Sequence, residues 1–390
     1  MKTKLNLIQI SLLCAAMLQA VTSGAQAVTN VAGGYAHSLF LKSDGSLWAM
    51  GDNQYGELGD GTYITTNRPE QIVASGVTGI AAGFEDSLFL KTNGSLWAMG
   101  YNVYGELGDG TYNNTNLPEQ IVSSGVTAIA AGLEHSLFLK TNGSLWAMGY
   151  NYFGELGDGT YSTSAPYGTN RPEQIVASGV TAIAGGYYHS LFLKSDGSLW
   201  AMGRNNSGQL GDGTSNNTNR PEQIVASGVT AIAAGSYHSL FLKSDGSLWA
   251  MGDNSEGELG DGTYNQTNRP EMIVASNVTT IAAGLNHSLF LKSDGSLWGM
   301  GNNGAGQLGD GTYNTANLPE QIVVWPPPAI GISIYGNQPV VFFPTAPGTD
   351  FVLQMTTNLA SGNWVTVTSG VPFSGIQITN APATAFFRLY

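Results

Sequence analysis

Five histidines stand at one recurring position of this chain, His37, His135, His189, His238 and His287, and Asp86 takes a sixth equivalent place. Imidazoles at regular spacing raise the question of a shared metal ion. Around a rotation axis, however, equivalent residues are held apart by their radius. One ion with ligands at about 2.1 Å would need all of them almost on the axis. The better reading is an imidazole that hydrogen-bonds a turn in each repeat. No metal ligand and no cofactor is assigned.

Carboxylates recur as well. Glu57, Glu106, Glu155 and Glu258 occupy one repeat position, where Gln209 and Gln307 stand in the other two copies. Glycoside hydrolysis needs one unique pair of carboxyl groups at a set separation. A position repeated six times and filled by glutamine in two of them reads as scaffold. The hexapeptide "SDGSLW" resembles the Asp-box of sialidases, S-x-D-x-G-x-x-W, but its Asp and Gly are adjacent, and Asn93 and Asn142 replace Asp in two copies. The D-G and N-G pairs suit a two-residue type I′ hairpin, whose central positions both need positive φ. Asp60 and its equivalents are expected to accept turn hydrogen bonds from backbone N–H groups. No catalytic residue is assigned, and the chain is read as a non-enzyme, with a carbohydrate-active enzyme as an alternative.

The elements that position these residues come from an internal repeat. With His37 as phase mark, equivalents fall at Asp86, His135, His189, His238 and His287, in steps of 49, 49, 54, 49 and 49 residues. The long step holds five extra residues within "GTYSTSAPYGTNRPE". Each unit carries four short strand-like segments, typified by "VTAIAAG", "HSLFLK", "SLWAMG" and "PEQIVAS", separated by Gly, Asn and Asp clusters. None has the length or the 3.6-residue period of a helix. Four strands in about 49 residues match one β-propeller blade. Trp48, Trp97, Trp146, Trp200, Trp249 and Trp298 are read as core between adjacent blades, each stabilising by roughly 1.5–3 kcal/mol.

The stretch "GYAHSLFLKSDGSLWAMGDNQYGELGDGT" (Gly34 to Thr62) resembles the repeat of the regulator-of-chromosome-condensation (RCC1) family. That repeat runs G-x-x-H-S and then G-x-L-W-x-x-G-x-N-x-x-G-Q-L-G-x-G. The resemblance covers residues 28–324, recurs six times, and implies a β-propeller. Relatives usually have seven blades. Six full units here imply six, with seven as the alternative if the C-terminal segment adds one.

Function is sought where the copies disagree. Before the His/Asp position they read Tyr35-Ala36, Phe84-Glu85, Leu133-Glu134, Tyr187-Tyr188, Ser236-Tyr237 and Leu285-Asn286; after "MG" they read "DNQY", "YNVY", "YNYF", "RNNS", "DNSE" and "NNGA". Antiparallel order puts both spots on one face, with the uniform SDG/TNG turns on the other. Units two to four enrich that face in Phe84, Tyr101, Tyr104, Tyr150, Tyr152, Phe153, Tyr187 and Tyr188, with Glu85 and Glu134 among them. Units five and six offer mainly Asp253, Glu256, Asn302 and Gly304. Exposed aromatics are what protein-binding surfaces enrich, and they also stack on sugar rings. These ten residues form the expected binding site.

The ends and the bulk composition bound the rest. "MKTK", an apolar run and "AQA" at Ala25–Ala27 read as a signal peptide, residues 1–27, so the mature chain is expected outside the cell, in the periplasm or on the cell surface. Cys14, the only cysteine, leaves with the leader. Net charge is −13; losing Lys2 and Lys4 leaves 27 acids against 12 bases. That argues against nucleic acid and against an anionic membrane. No second apolar run spans a bilayer. Pro326-Pro327-Pro328 lies in a linker, 325–330, and residues 331–390 alternate as a small β-sandwich. The fold class is thus all-β: propeller plus sandwich.

The function read from all this is a secreted, monomeric, non-catalytic protein that binds a protein or glycan through the aromatic face. The RCC1 resemblance implies guanine-nucleotide exchange as an alternative, though no exchange residue can be matched. An inhibitor of a secreted enzyme, similar to the propeller inhibitors of β-lactamases, is a further one.

Overall fold

The computed structural model describes residues 26–322 and, beyond them, the backbone of six short strands. The leader expected at residues 1–27 falls almost wholly outside the described residues, as does the 325–330 linker. Residues 28–322 form six four-stranded antiparallel sheets in chain order, which are six propeller blades. Blade one consists of β1 (Val28–Gly33), β2 (His37–Lys42), β3 (Leu47–Gly51) and β4 (Thr66–Val73). Blades two to six repeat it over residues 77–122, 126–176, 180–225, 229–274 and 278–322.

The C-terminal chain does not add a seventh sheet of this kind. Its strands Gly331–Tyr335, Gln338–Phe342 and Ile376–Gln377 pair as one three-stranded sheet, and Val352–Thr356, Val365–Ser369 and Phe386–Leu389 as another. Contacts divide the chain into units Met1–Ile322 and Val323–Tyr390. The packing of the expected sandwich lies outside the described residues.

Each seam between blades is built by the same residues. Leu39, Leu41, Leu47, Ala49 and Leu58 of blade one pack on Val77, Phe89 and Met99 of blade two, all within 5% exposure. The four following seams repeat that set. The sequence alternation explains it, because period-2 side chains send alternate residues to opposite faces of each sheet. Five of the six tryptophans join these clusters partly buried, Trp97 in the first seam; Trp48 of blade one faces no formed seam. Each of the six also stacks on the Phe of its own blade, Phe89 to Trp97 at 6.0 Å, and carries a lysine ammonium over its ring, Lys42 at 3.7 Å from Trp48.

The sixth seam, between blades six and one, is not formed among the described residues. Val28 is 54% exposed, whereas its equivalents Val77, Val126, Val180, Val229 and Val278 are at 4–5%. Leu291 is 37% exposed against 3–5% for its equivalents. Five glycine N–H groups, from Gly61 to Gly262, donate across a seam to an Asn carbonyl such as Asn116; Gly311 has no such bond. Among the described residues the two end blades therefore keep unmatched faces that elsewhere are core.

Two local expectations need correction. The SDG hairpin is not type I′: Gly45 has φ +76° but Asp44 is not in the left-handed region. Gly45 N–H donates to the Lys42 carbonyl at 2.9 Å, and Asp44 Oδ1 accepts from the Ser46 N–H and hydroxyl. A single left-handed Gly after such a turn gives a bulged hairpin. The Asp acts only as an acceptor, which is why Asn93 and Asn142 serve equally. The histidines do not bond a turn either. His37 Nε2 meets the Ser87 hydroxyl of the next blade at 3.0 Å, and His135, His189 and His238 do the same with Ser190, Ser239 and Ser288. The imidazole is long enough to cross the seam.

Candidate binding site on the propeller face

The backbone places the two variable spots side by side. His37 pairs with Gly51 across the hairpin, so the residues before one and after the other are neighbours. A backbone bond ties them in every blade: Asp52 to Ala36, Tyr101 to Glu85, Tyr150 to Glu134, Arg204 to Tyr188, Asp253 to Tyr237 and Asn302 to Asn286, all at 2.7–2.9 Å. The first variable residue of each pair (Tyr35, Phe84, Leu133, Tyr187, Ser236, Leu285) rims a central cavity of about 390 Å³.

Seven of the eight predicted aromatics form one connected cluster. Tyr101 meets Tyr104 at 6.1 Å between ring centroids, and Tyr104 meets Tyr150 at 4.9 Å. Tyr150 is the hub, touching Tyr152, Phe153 and Tyr188, and Tyr187 continues the chain from Tyr188. Edge-to-face contacts dominate, as ring quadrupoles prefer. Phe84 stands apart from this cluster, paired with Tyr35 at 4.3 Å beside the central cavity.

Several members were missed in the sequence. Tyr55 packs on Tyr101 at 5.0 Å and Tyr237 on Tyr187 at 5.6 Å. Both occupy the very repeat positions held by Tyr104 and Tyr188, so reading by position instead of by unit reveals them. Tyr167, from the five-residue insertion, reaches Tyr152 at 6.1 Å and has φ 63°. Arg204 lies over Phe153, Tyr188 and Tyr237 at 5.1, 5.8 and 4.7 Å. Tyr237 is the one ring that blade five adds to the cluster, and the other contacts of blades five and six on this face are polar, such as Asn302 to Glu256 at 3.0 Å.

Carboxylates lie among and beneath the rings. Burial, and then the charge of Glu85, pushes Glu134 up to about 7. Burial raises Glu85 too, with Glu57 as the first neighbouring charge. Below the surface, burial lifts Glu106 and Glu155 each to about 8. Each gives one oxygen to a backbone N–H two residues earlier, Tyr104 at 2.9 Å and Phe153 at 2.8 Å. Gln209 and Gln307 accept the equivalent bond at 3.0 and 2.9 Å. A neutral acid and an amide are interchangeable there, which supports the scaffold reading of this position. The phenols of Tyr101, Tyr150 and Tyr188 are held well above the usual range by burial and then by nearby tyrosines and carboxylates. They are neutral rings and neutral donors.

Asp86 breaks the histidine pattern under this site. Its carboxyl is fully buried and pushed up to about 8, by burial first and then by Glu57 and Glu85. It is too short to reach the next blade, so its Oδ2 and the Ser136 hydroxyl both lack partners.

Known proteins place this geometry in context. A sequence model of the RCC1-like domain matches residues 9–339. Among solved structures, human WBSCR16 superposes with a TM-score of 0.69 at 25% identity, over 79% of this chain and 84% of that one. Prp20p, the yeast RCC1, from Saccharomyces cerevisiae, gives 0.68 at 24% identity, over 78% and 79%, and 0.69 in its complex with Kap60. No curated protein matches the chain.

Proposed function

The chain belongs to the RCC1-like domain family, and from that premise we propose that it is an exported, non-catalytic protein that captures a protein partner through the face bearing Tyr101, Tyr104, Tyr150 and Tyr152. One observation carries the reading: a continuous ring cluster runs from Tyr55 through Tyr101, Tyr104 and Tyr150 to Tyr188, Tyr187 and Tyr237 on one face, while the hairpins of the opposite face repeat one sequence. Clustered, part-exposed tyrosines supply large contact area at low entropic cost, which is the composition of binding hot spots. The relatives favour a protein ligand over a glycan, since Prp20p is described by its binding to Gsp1p and histones and was solved bound to Kap60. Identity to those chains is low, so the partner itself does not transfer. The leader motif at residues 1–27 supports export.

The test is capture from the secreted fraction by immobilised mature protein. The variant Y104S/Y150S/Y152S should lose the captured partner while circular dichroism and Tm stay near wild type. A control on the opposite hairpins, D196S/D245S, should retain it. Equal capture by all three proteins contradicts the reading, and a glycan-array hit without protein capture replaces the protein partner with a sugar.

A further inference from the structure

The aromatic site has an unusual charge balance. Glu85 and Glu134 sit half-buried at the surface, and Glu106 and Glu155 beneath are 1% and 0% exposed. Oε1 of each of the two buried acids has no hydrogen-bond partner. The groups facing Glu134 are Glu85, Glu106 and Glu155, with the phenols of Tyr101, Tyr104, Tyr150 and Tyr188. No lysine or arginine is among the groups that act on any of these four acids.

The six lysines of the blades are committed elsewhere, and Arg68, Arg171, Arg220 and Arg269 stand on the fourth strands of their blades. Lys42, Lys91, Lys140, Lys194, Lys243 and Lys292 each lie 3.7–4.1 Å over a tryptophan at the hairpin end, on the far face. Among the described residues, Arg204 is the basic side chain that lies over rings of the variable face. Its guanidinium stacks on three rings at the blade-four edge of the same patch. The position equivalent to Arg204 is Tyr101 in blade two and Tyr150 in blade three, so there the carboxylates and rings are present and the cation is not.

We propose, building on the binding face above, that the surface formed by Tyr101, Tyr104, Tyr150, Glu85 and Glu134 binds a lysine or arginine side chain of the protein partner. Neutral ring faces attract a desolvated cation, and the two surface carboxylates give it charge-assisted hydrogen bonds. The excess of acids over bases in the chain steers a basic partner toward it. An arriving cation favours the ionised form of Glu134, so binding releases a proton and tightens from pH 5.5 to pH 8.

Fluorescence anisotropy on the mature full-length protein tests this with a labelled peptide of alternating glycine and lysine, and with the same peptide acetylated on every lysine. The lysine peptide should bind at least tenfold more tightly than its acetylated form at pH 8, with that ratio shrinking at pH 5.5. The isosteric pair E85Q/E134Q should lose at least tenfold, and D253N/E256Q in blade five less than twofold. Equal binding of the two peptides, or no effect of E85Q/E134Q in a variant with wild-type Tm, overturns the inference. So does displacement of the peptide by phosphocholine at lower concentration than by a lysine amide, which assigns the site to a quaternary ammonium. Tyrosine-dependent capture that persists in E85Q/E134Q leaves the binding face standing and removes only the cation.

Discussion

The backbone N–H of Tyr150 donates to the carbonyl of Glu134 at 2.8 Å. That bond joins the end of one strand to the start of its neighbour, and so fixes a ring and a carboxylate that are sixteen positions apart in sequence on one edge of one blade. The same bond recurs in all six blades. The repeat thus supplies an invariant bracket, and the identity of the two residues it holds decides what each blade presents to solvent.

Asp86 provides a first prediction. Replacing it by the histidine of the other copies restores a ring long enough to reach Ser136, and removes a buried carboxyl with an unpartnered oxygen. Satisfying such a pair is worth about 1–3 kcal/mol. D86H should raise the free energy of unfolding by that amount, read from denaturant curves as a higher midpoint at unchanged slope. A lower midpoint would show that the aspartate is better satisfied than its contacts indicate.

The unmatched end faces give a second. Leu242 is 3% exposed in a seam and Leu291, its equivalent in blade six, 37%. Buried Leu→Ala changes cost about 2–5 kcal/mol. L242A should fall in that range and L291A below about 1 kcal/mol, measured by urea unfolding. Equal costs would mean that blade six is covered in solution.

A third concerns pH. Asp86, Glu106 and Glu155 have folded values near 8, above the usual carboxylate range. Their stabilisation is complete below the unfolded value and is lost as pH rises toward 8. His37 and His135 are pushed by burial to about 4, and His189 and His238 to about 3. Their contribution is full above 6.5 and is lost as pH falls below it. The two sets oppose each other between about 4 and 6.5, leaving only the carboxylates above. Stability should therefore decline from pH 6.5 to 8.5, and E106Q/E155Q should flatten the decline. A rising profile across that window contradicts the burial of these acids.

Much of this architecture was legible in the sequence because it is written six times. Strand number, hairpin positions and the common face of the variable spots follow from repeat period and strand parity. What was hidden depends on reach across a seam. The partner of His37, His135, His189 or His238 lies in the next blade, about fifty residues on, and no local pattern names it. Local backbone geometry misled at "SDG", where the side-chain acceptor of Asp44 selects a bulged turn over the type I′ form that the dipeptide suggests. Within the site, Tyr152 and Phe153 were visible as rings, but the hub position of Tyr150 is not, since it depends on Tyr104 and Tyr188 arriving from adjacent blades. Arg204 carries no signal of its own in "RNNS"; its stacking on three rings emerges only in three dimensions.

The central claim is that recognition is confined to the edge where the blades differ. Hydrogen–deuterium exchange of the mature protein, alone and with its captured partner, measures this directly. Slowed exchange should appear at residues 84–86, 101–105, 134–135, 150–154 and 187–189, with none at the hairpins 43–46, 92–95, 141–144 and 195–198. Protection centred on those hairpins, with the tyrosine segments unchanged, would contradict the account.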